Sequence, residues 1–159
     1  MALFAAARQG RKDDAELGKG VWRRAHDRFR RGLDRFHQIL EGVQDERLHT
    51  DLVPVANTLA DLLPRVRAVC TQAQRIAPSA DLDVPSSEAG YLSEVHRALS
   101  RAGNALATTA EAVAMARLDG GKASIDGPDT GAGAAFQSVE RRAATVTASV
   151  EEAERLLVG

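Results

Sequence analysis

Six arginines, Arg23, Arg24, Arg28, Arg30, Arg31 and Arg35, crowd into one short stretch near the start of the chain. Four of them, Arg24, Arg28, Arg31 and Arg35, are spaced 4, 3 and 4 residues apart, which puts them on one face of a helix. A guanidinium is a planar fork of donors that fits carboxylates and phosphates. A row at this pitch can therefore meet an acidic protein surface, a nucleic acid or an anionic lipid surface. Ion pairs within the helix limit that reading, because Asp27 lies four residues before Arg31 and Asp34 three after it. No aromatic residue interleaves with the row to stack on bases. A solvated, partly paired-off face is the simplest account. As a binding surface the row suits an acidic protein better than nucleic acid.

Charge distribution gives this stretch its context. The chain of 159 residues has a net charge of −1. Residues 1–40 carry ten Lys/Arg against five Asp/Glu, and the remainder carries eleven against seventeen. No overall field points to nucleic acid, yet the first quarter of the chain is basic.

The other chemistry-bearing residues form no recognisable constellation. Di-metal sites in helical bundles combine glutamates with Glu-x-x-His. Glu46-x-x-His49 and the looser Asp34-x-x-His37 approach that pattern, but on one helix His37 and His49 would stand about 18 Å apart. Cys70, the single cysteine, sits beside an apolar stripe with no histidine near it in sequence, as a small core residue would. Asp119-Gly-Gly-Lys122-Ala-Ser124 lacks the spacing of a phosphate-binding loop and follows a helix rather than a strand. Asp119, Asp126 and Asp129 do not have calcium-loop spacing. His96 falls on a helix flank. His26 lies between Trp22 and Phe29 on the seam of the first long helix, where it is a core residue or part of a small-molecule pocket inside the bundle. The expectation is a protein without catalytic residues, cofactor or metal.

The elements that position these residues are helices. From Leu48 to Ile76 the apolar positions Leu48, Leu52, Val55, Leu59, Leu62, Val66, Val69, Ala73 and Ile76 alternate 4 and 3 without a break. That period belongs to a helix, and so apolar a stripe needs other helices to cover it. Trp22, Phe29, Phe36 and Val43 recur every seven residues with Leu33 and Leu40 between them. A five-residue jump from Val43 to Leu48 breaks the register, so a turn falls within 42–51, with Asp45 and Thr50 both able to cap the next helix. Leu92, Val95, Leu99, Ala102, Leu106, Thr109, Val113 and Ala116 make a third stripe, with Thr109 bonded back to a carbonyl one turn earlier. Phe136, Val139, Ala143, Val146, Val150, Ala153 and Leu157 make a fourth.

These stripes predict an all-α protein, an antiparallel up-down four-helix bundle spanning residues 19–159, with helices near 21–42, 50–77, 87–118 and 134–158. Pro54 is expected in the first turn of the second helix and Pro64 at a bend, convex to solvent. Ser86 or Ser87 should cap the third helix. Five glycines and a proline make 119–133 a mobile loop, and residues 1–18 are expected to be flexible or at most a short helix. Leu3 and Phe4 could dock on an apolar groove or a membrane surface. One cysteine, no basic leader before the short apolar start and no run of about 20 apolar residues point to a soluble cytoplasmic protein rather than an integral membrane one. The functional expectation is a non-enzymatic interaction or scaffold module that can also pair with itself, with the first long helix and the 119–133 loop as its partner surfaces.

Overall fold

The computed structural model describes residues 2–120 and 131–159. Within them lie five α-helices and no strand: α1 (Ala2–Leu17), α2 (Val21–Glu41), α3 (Glu46–Ile76), α4 (Tyr91–Gly120) and α5 (Gly131–Val158). The fold is all-α. One hydrophobic core draws on every helix. The stripe of α2 is buried throughout, from Trp22 and Phe29 to Phe36, Leu40 and Val43, and so is the α4 stripe from Leu92 to Ala116. Thr109 Oγ1 donates to the Ala105 carbonyl at 2.6 Å, so the one hydroxyl in that stripe is satisfied within its own helix.

Contacts between helices fix their alignment. The Trp22 indole Nε1 donates to the Ala77 carbonyl at 3.1 Å, which ties the start of α2 to the residue after α3, and Val43 and Leu48 flank the turn between the two helices. Alpha2 and α4 lie side by side in the same direction. Trp22 meets the His96 ring edge-on at 6.2 Å, a Cβ on Gly32 would lie 3.1 Å from Leu106, and Gly42 abuts Arg117. Alpha5 packs on α4 and α3.

Several boundaries differ from the sequence expectation. Alpha3 starts at Glu46 rather than 50, because Asp45 is the cap: its carboxylate accepts the Leu48 N–H at 3.0 Å. Thr50 instead bonds back to the Glu46 carbonyl at 2.8 Å inside the helix. Pro54 consequently lies in the interior of α3, like Pro64, and not in its first turn. Both prolines are exposed, and each removes one helical N–H donor. Val55 is only half-buried and Ile76 is exposed, while Ala56 and Cys70 join the core. The α3 stripe is thus wider in its middle and shorter at its end than the 3–4 count indicates. Ser87 Oγ accepts the Leu92 N–H at 2.9 Å, but a 3-10 turn at Glu88–Gly90 delays α4 to Tyr91. Alpha4 and α5 each reach into the stretch expected as the 119–133 loop, up to Gly120 and from Gly131; its middle, 121–130, lies outside the described residues.

The largest difference is at the start. Residues 2–17 form a sixteen-residue helix, longer than the expected loose or short-helical segment. Leu17 is fully buried, and Asp13 is 2% exposed, held by side chains of α2 and α3. The Arg67 contact comes from more than fifty residues away in sequence, so local composition could not show it. Gly18, at φ +70°, and Gly20 then turn the chain into α2. A Cβ on Gly20 would come within 2.4 Å of the Ser79 backbone, so only glycine fits there. The Val21 N–H is taken by Ser79 Oγ at 3.1 Å, so α2 is capped from the loop that follows α3.

Candidate interaction surface

Alpha2 sorts its arginines onto two faces. Arg23 turns inward to a polar seam between α1, α2 and α3, and the half-exposed Arg30 lies at its edge. The Arg23 Nε donates to Asp27 Oδ2 at 3.0 Å and its Nη1 to Asp14 Oδ1 at 2.9 Å. Arg67 of α3 reaches Asp13 Oδ1 at 2.8 Å and donates to Glu16 Oε2 through Nη2 and Nε at 2.8 and 3.2 Å. Asp27 also meets His26 Nδ1 at 2.9 Å and Arg30 at 3.7 Å. Among the described residues no buried side-chain nitrogen or oxygen lacks a partner.

Burial pushes the Asp13 carboxyl up, but hydrogen bonds from Arg67 and Gln9, with the charges of Arg67 and Arg23, outweigh it and hold the group below its ordinary value. Asp27 is held down in the same way: burial raises it, and His26 and Arg23 more than offset that. For Glu16 the Arg67 hydrogen bond is the leading cause of its lowering. Burial lowers His26, which keeps its ring neutral near pH 7 despite Asp27. Burial raises the Cys70 thiol to about 12, so it carries no thiolate to act as a nucleophile. Among the described residues no group of three or more His, Cys, Asp or Glu is placed to hold a metal ion.

The outward face carries the predicted row. Arg24, Arg28, Arg31 and Arg35 are all exposed. The intrahelical pairing expected to neutralise them does not form: Asp27 is engaged by Arg23, Arg30 and His26, and Asp34 makes no ion pair among the described residues. Among those residues Arg24, Arg31 and Arg35 make neither an ion pair nor a hydrogen bond, and Arg28 donates to the side-chain oxygen of Asn104 on α4. That contact brings α4 into the surface. Arg101, one turn before Asn104, is exposed and likewise unpaired among the described residues, while Arg97 pairs with Glu94. Sequence reasoning missed Arg101, because its relevance depends on the parallel alignment of α2 with α4.

Trp22, His26 and Phe29, the residues named for an interior pocket, are all buried, and Trp22 and Phe29 pack in the hydrophobic core. Two hollows among the described residues lie at the surface. One of about 480 Å³ is bordered by Gly42, Asp45, Leu48 and Arg117, and another of about 380 Å³ by Glu16, Pro64, Arg67 and Arg75. No described helix is long and apolar enough to cross a membrane. Comparison with protein-family models, curated proteins and solved structures finds no match to this chain.

Proposed function

We propose that the chain is a non-enzymatic interaction module, with α2 to α5 forming an up-down four-helix bundle that presents the arginine row to an acidic protein surface. The observation that carries this reading is the sorting of charge on α2. Arg23 and Arg30 are engaged by three carboxylates, Asp13, Asp14 and Asp27, while Arg24, Arg31 and Arg35 remain exposed and unpaired among the described residues. Guanidinium groups held on a rigid helix lose less freedom on binding than groups on a loop, and their forks match carboxylates in pairs. Arg28, fixed against Asn104, and Arg101 widen the row onto α4.

The test compares capture of partners from lysate by the wild-type chain and by a variant reversed at Arg24, Arg28, Arg31 and Arg35. Loss of captured acidic proteins supports the reading, and unchanged capture removes it. The same row would also serve a polyanion, which makes binding to nucleic acid or an anionic surface the second reading. Duplex DNA and vesicles rich in anionic lipid, titrated at low salt, decide it: affinity that falls steeply with added salt would replace the protein partner.

A further inference from the structure

The inward arginines point to a second binding site, separate from the outer row. Three guanidinium groups converge on Asp13: Arg67 at 2.8 Å, Arg23 at 3.8 Å and Arg30 at 3.9 Å. Glu16, three residues on, takes two hydrogen bonds from Arg67, and Leu17, one further, is fully buried. Alpha1 is therefore seated by two carboxylates at i and i+3 and a leucine at i+4, on a cradle built wholly by α2 and α3. Its other half does not share in this. Ala2–Gln9 is exposed, with Leu3 at 85% and Phe4 at 72%, so that half makes few contacts for undocking to break. Only Gly18-Lys19-Gly20 joins α1 to α2.

Nothing in the chemistry of the cradle depends on the acidic helix belonging to the same chain. We propose that α1 is an exchangeable element, and that the arginine cradle accepts the α1 of a second copy. Exchange of an identical helix keeps Asp13, Glu16 and Leu17 in their seats and alters only the short hinge. Tethering gives the α1 of the same chain a high effective concentration, so the closed form dominates when protein is dilute and exchange grows as it is concentrated.

A charge-complementation experiment tests this on full-length chains. In one variant Arg67→Glu spoils the cradle and leaves α1 intact; in the other Asp13→Lys with Glu16→Lys spoils α1 and leaves the cradle intact. Neither can seat its own helix, and only a mixture offers an intact α1 and an intact cradle. Light scattering of the mixture should show species of twice the 17.0 kDa chain mass that neither variant forms alone. A mixture that stays at the single-chain mass overturns the proposal. Circular dichroism establishes that both variants are folded. Should either not be, a fluorescent peptide of residues 2–20 is titrated onto wild type and onto the milder Asp13→Asn/Glu16→Gln chain. At least tenfold tighter binding to that chain supports exchange, and equal binding overturns it. The cradle shares no residue with the outer row, so reversing Arg24, Arg28, Arg31 and Arg35 leaves this association unchanged whatever becomes of the partner reading.

Discussion

Arg67 holds Asp13 at 2.8 Å across a sequence separation of more than fifty residues, and that pair ties α1 to the helices it lies against. Replacing Arg67 by Ala leaves a buried carboxylate with the 2.8 Å hydrogen bond from Gln9 of its own helix and the longer contacts to Arg23 and Arg30. Breaking a buried pair by removing one partner costs roughly 3–5 kcal/mol, and the two remaining arginines place this case near the lower end, about 3 kcal/mol. Urea denaturation should register that loss. Limited proteolysis should cut at Arg8 and Arg11 faster than in the wild type, since α1 would spend more time undocked.

Stability should fall toward acid in two stages. The folded-state values of His26 and His96 lie below the ordinary 6.5, so the unfolded chain binds protons first and stability declines as pH drops below about 6.5. The carboxyls of Glu16, Asp13 and Asp27 are likewise held below their ordinary values of 4.5 and 3.8. Their contribution is complete above those values and is lost as pH falls through the lower folded ones. Urea midpoints measured from pH 8 to pH 3 should bend at both windows, and a flat profile between pH 7 and pH 5 would count against neutral buried histidines.

Cys70 should not react while the protein is folded. Its thiol is fully buried and raised to about 12. A thiol reagent at pH 8 should label it only as fast as the protein unfolds, and at once in strong urea. Prompt labelling in buffer would show that the α2–α3 contact opens readily.

Two glycines should respond oppositely to alanine. A Cβ at Gly10 meets nothing within 4 Å, so Gly10→Ala should favour α1 by about 0.5–1 kcal/mol through helix propensity. At Gly20 the same atom would lie 2.4 Å from Ser79 backbone atoms, so Gly20→Ala must displace the segment that caps α2. It should cost more than 2 kcal/mol, in the range of overpacked cores. Thermal melts of the two single variants make the comparison.

Reversing charge at Arg24, Arg31 and Arg35 should scarcely change stability, within about 0.5 kcal/mol for each, because these side chains are exposed and unpaired among the described residues. A matched loss of melting temperature and of binding would assign the row a structural role instead.

How far the sequence was legible follows from the range of the interactions. The seams of α2 and α4 could be read residue by residue, because 3–4 spacing is local and every position from Trp22 to Val43 and from Leu92 to Ala116 is buried as expected. The same holds for the back-bonded Thr109 hydroxyl. Alpha1 could not be read, because Asp13 looks solvated within Arg11-Lys12-Asp13-Asp14 until Arg67 is placed beside it. Asp27 shows the same limit in the arginine row. Counting along the helix pairs it with Arg31, whereas the fold turns it toward Arg23 and His26 and leaves Arg31 in solvent.

The parallel alignment of α2 and α4 also bears on the order in which the chain can assemble. Trp22 meets His96, and Gly32 makes the notch for Leu106, so each of these contacts joins residues more than seventy positions apart. During synthesis α2 can zip against α3 once Ala77 has emerged, but its other flank stays bare until most of α4 has left the ribosome. The nascent protein therefore passes through a stage in which an aromatic helix face is open to whatever lies nearby, and slow translation across residues 78–106 would prolong it.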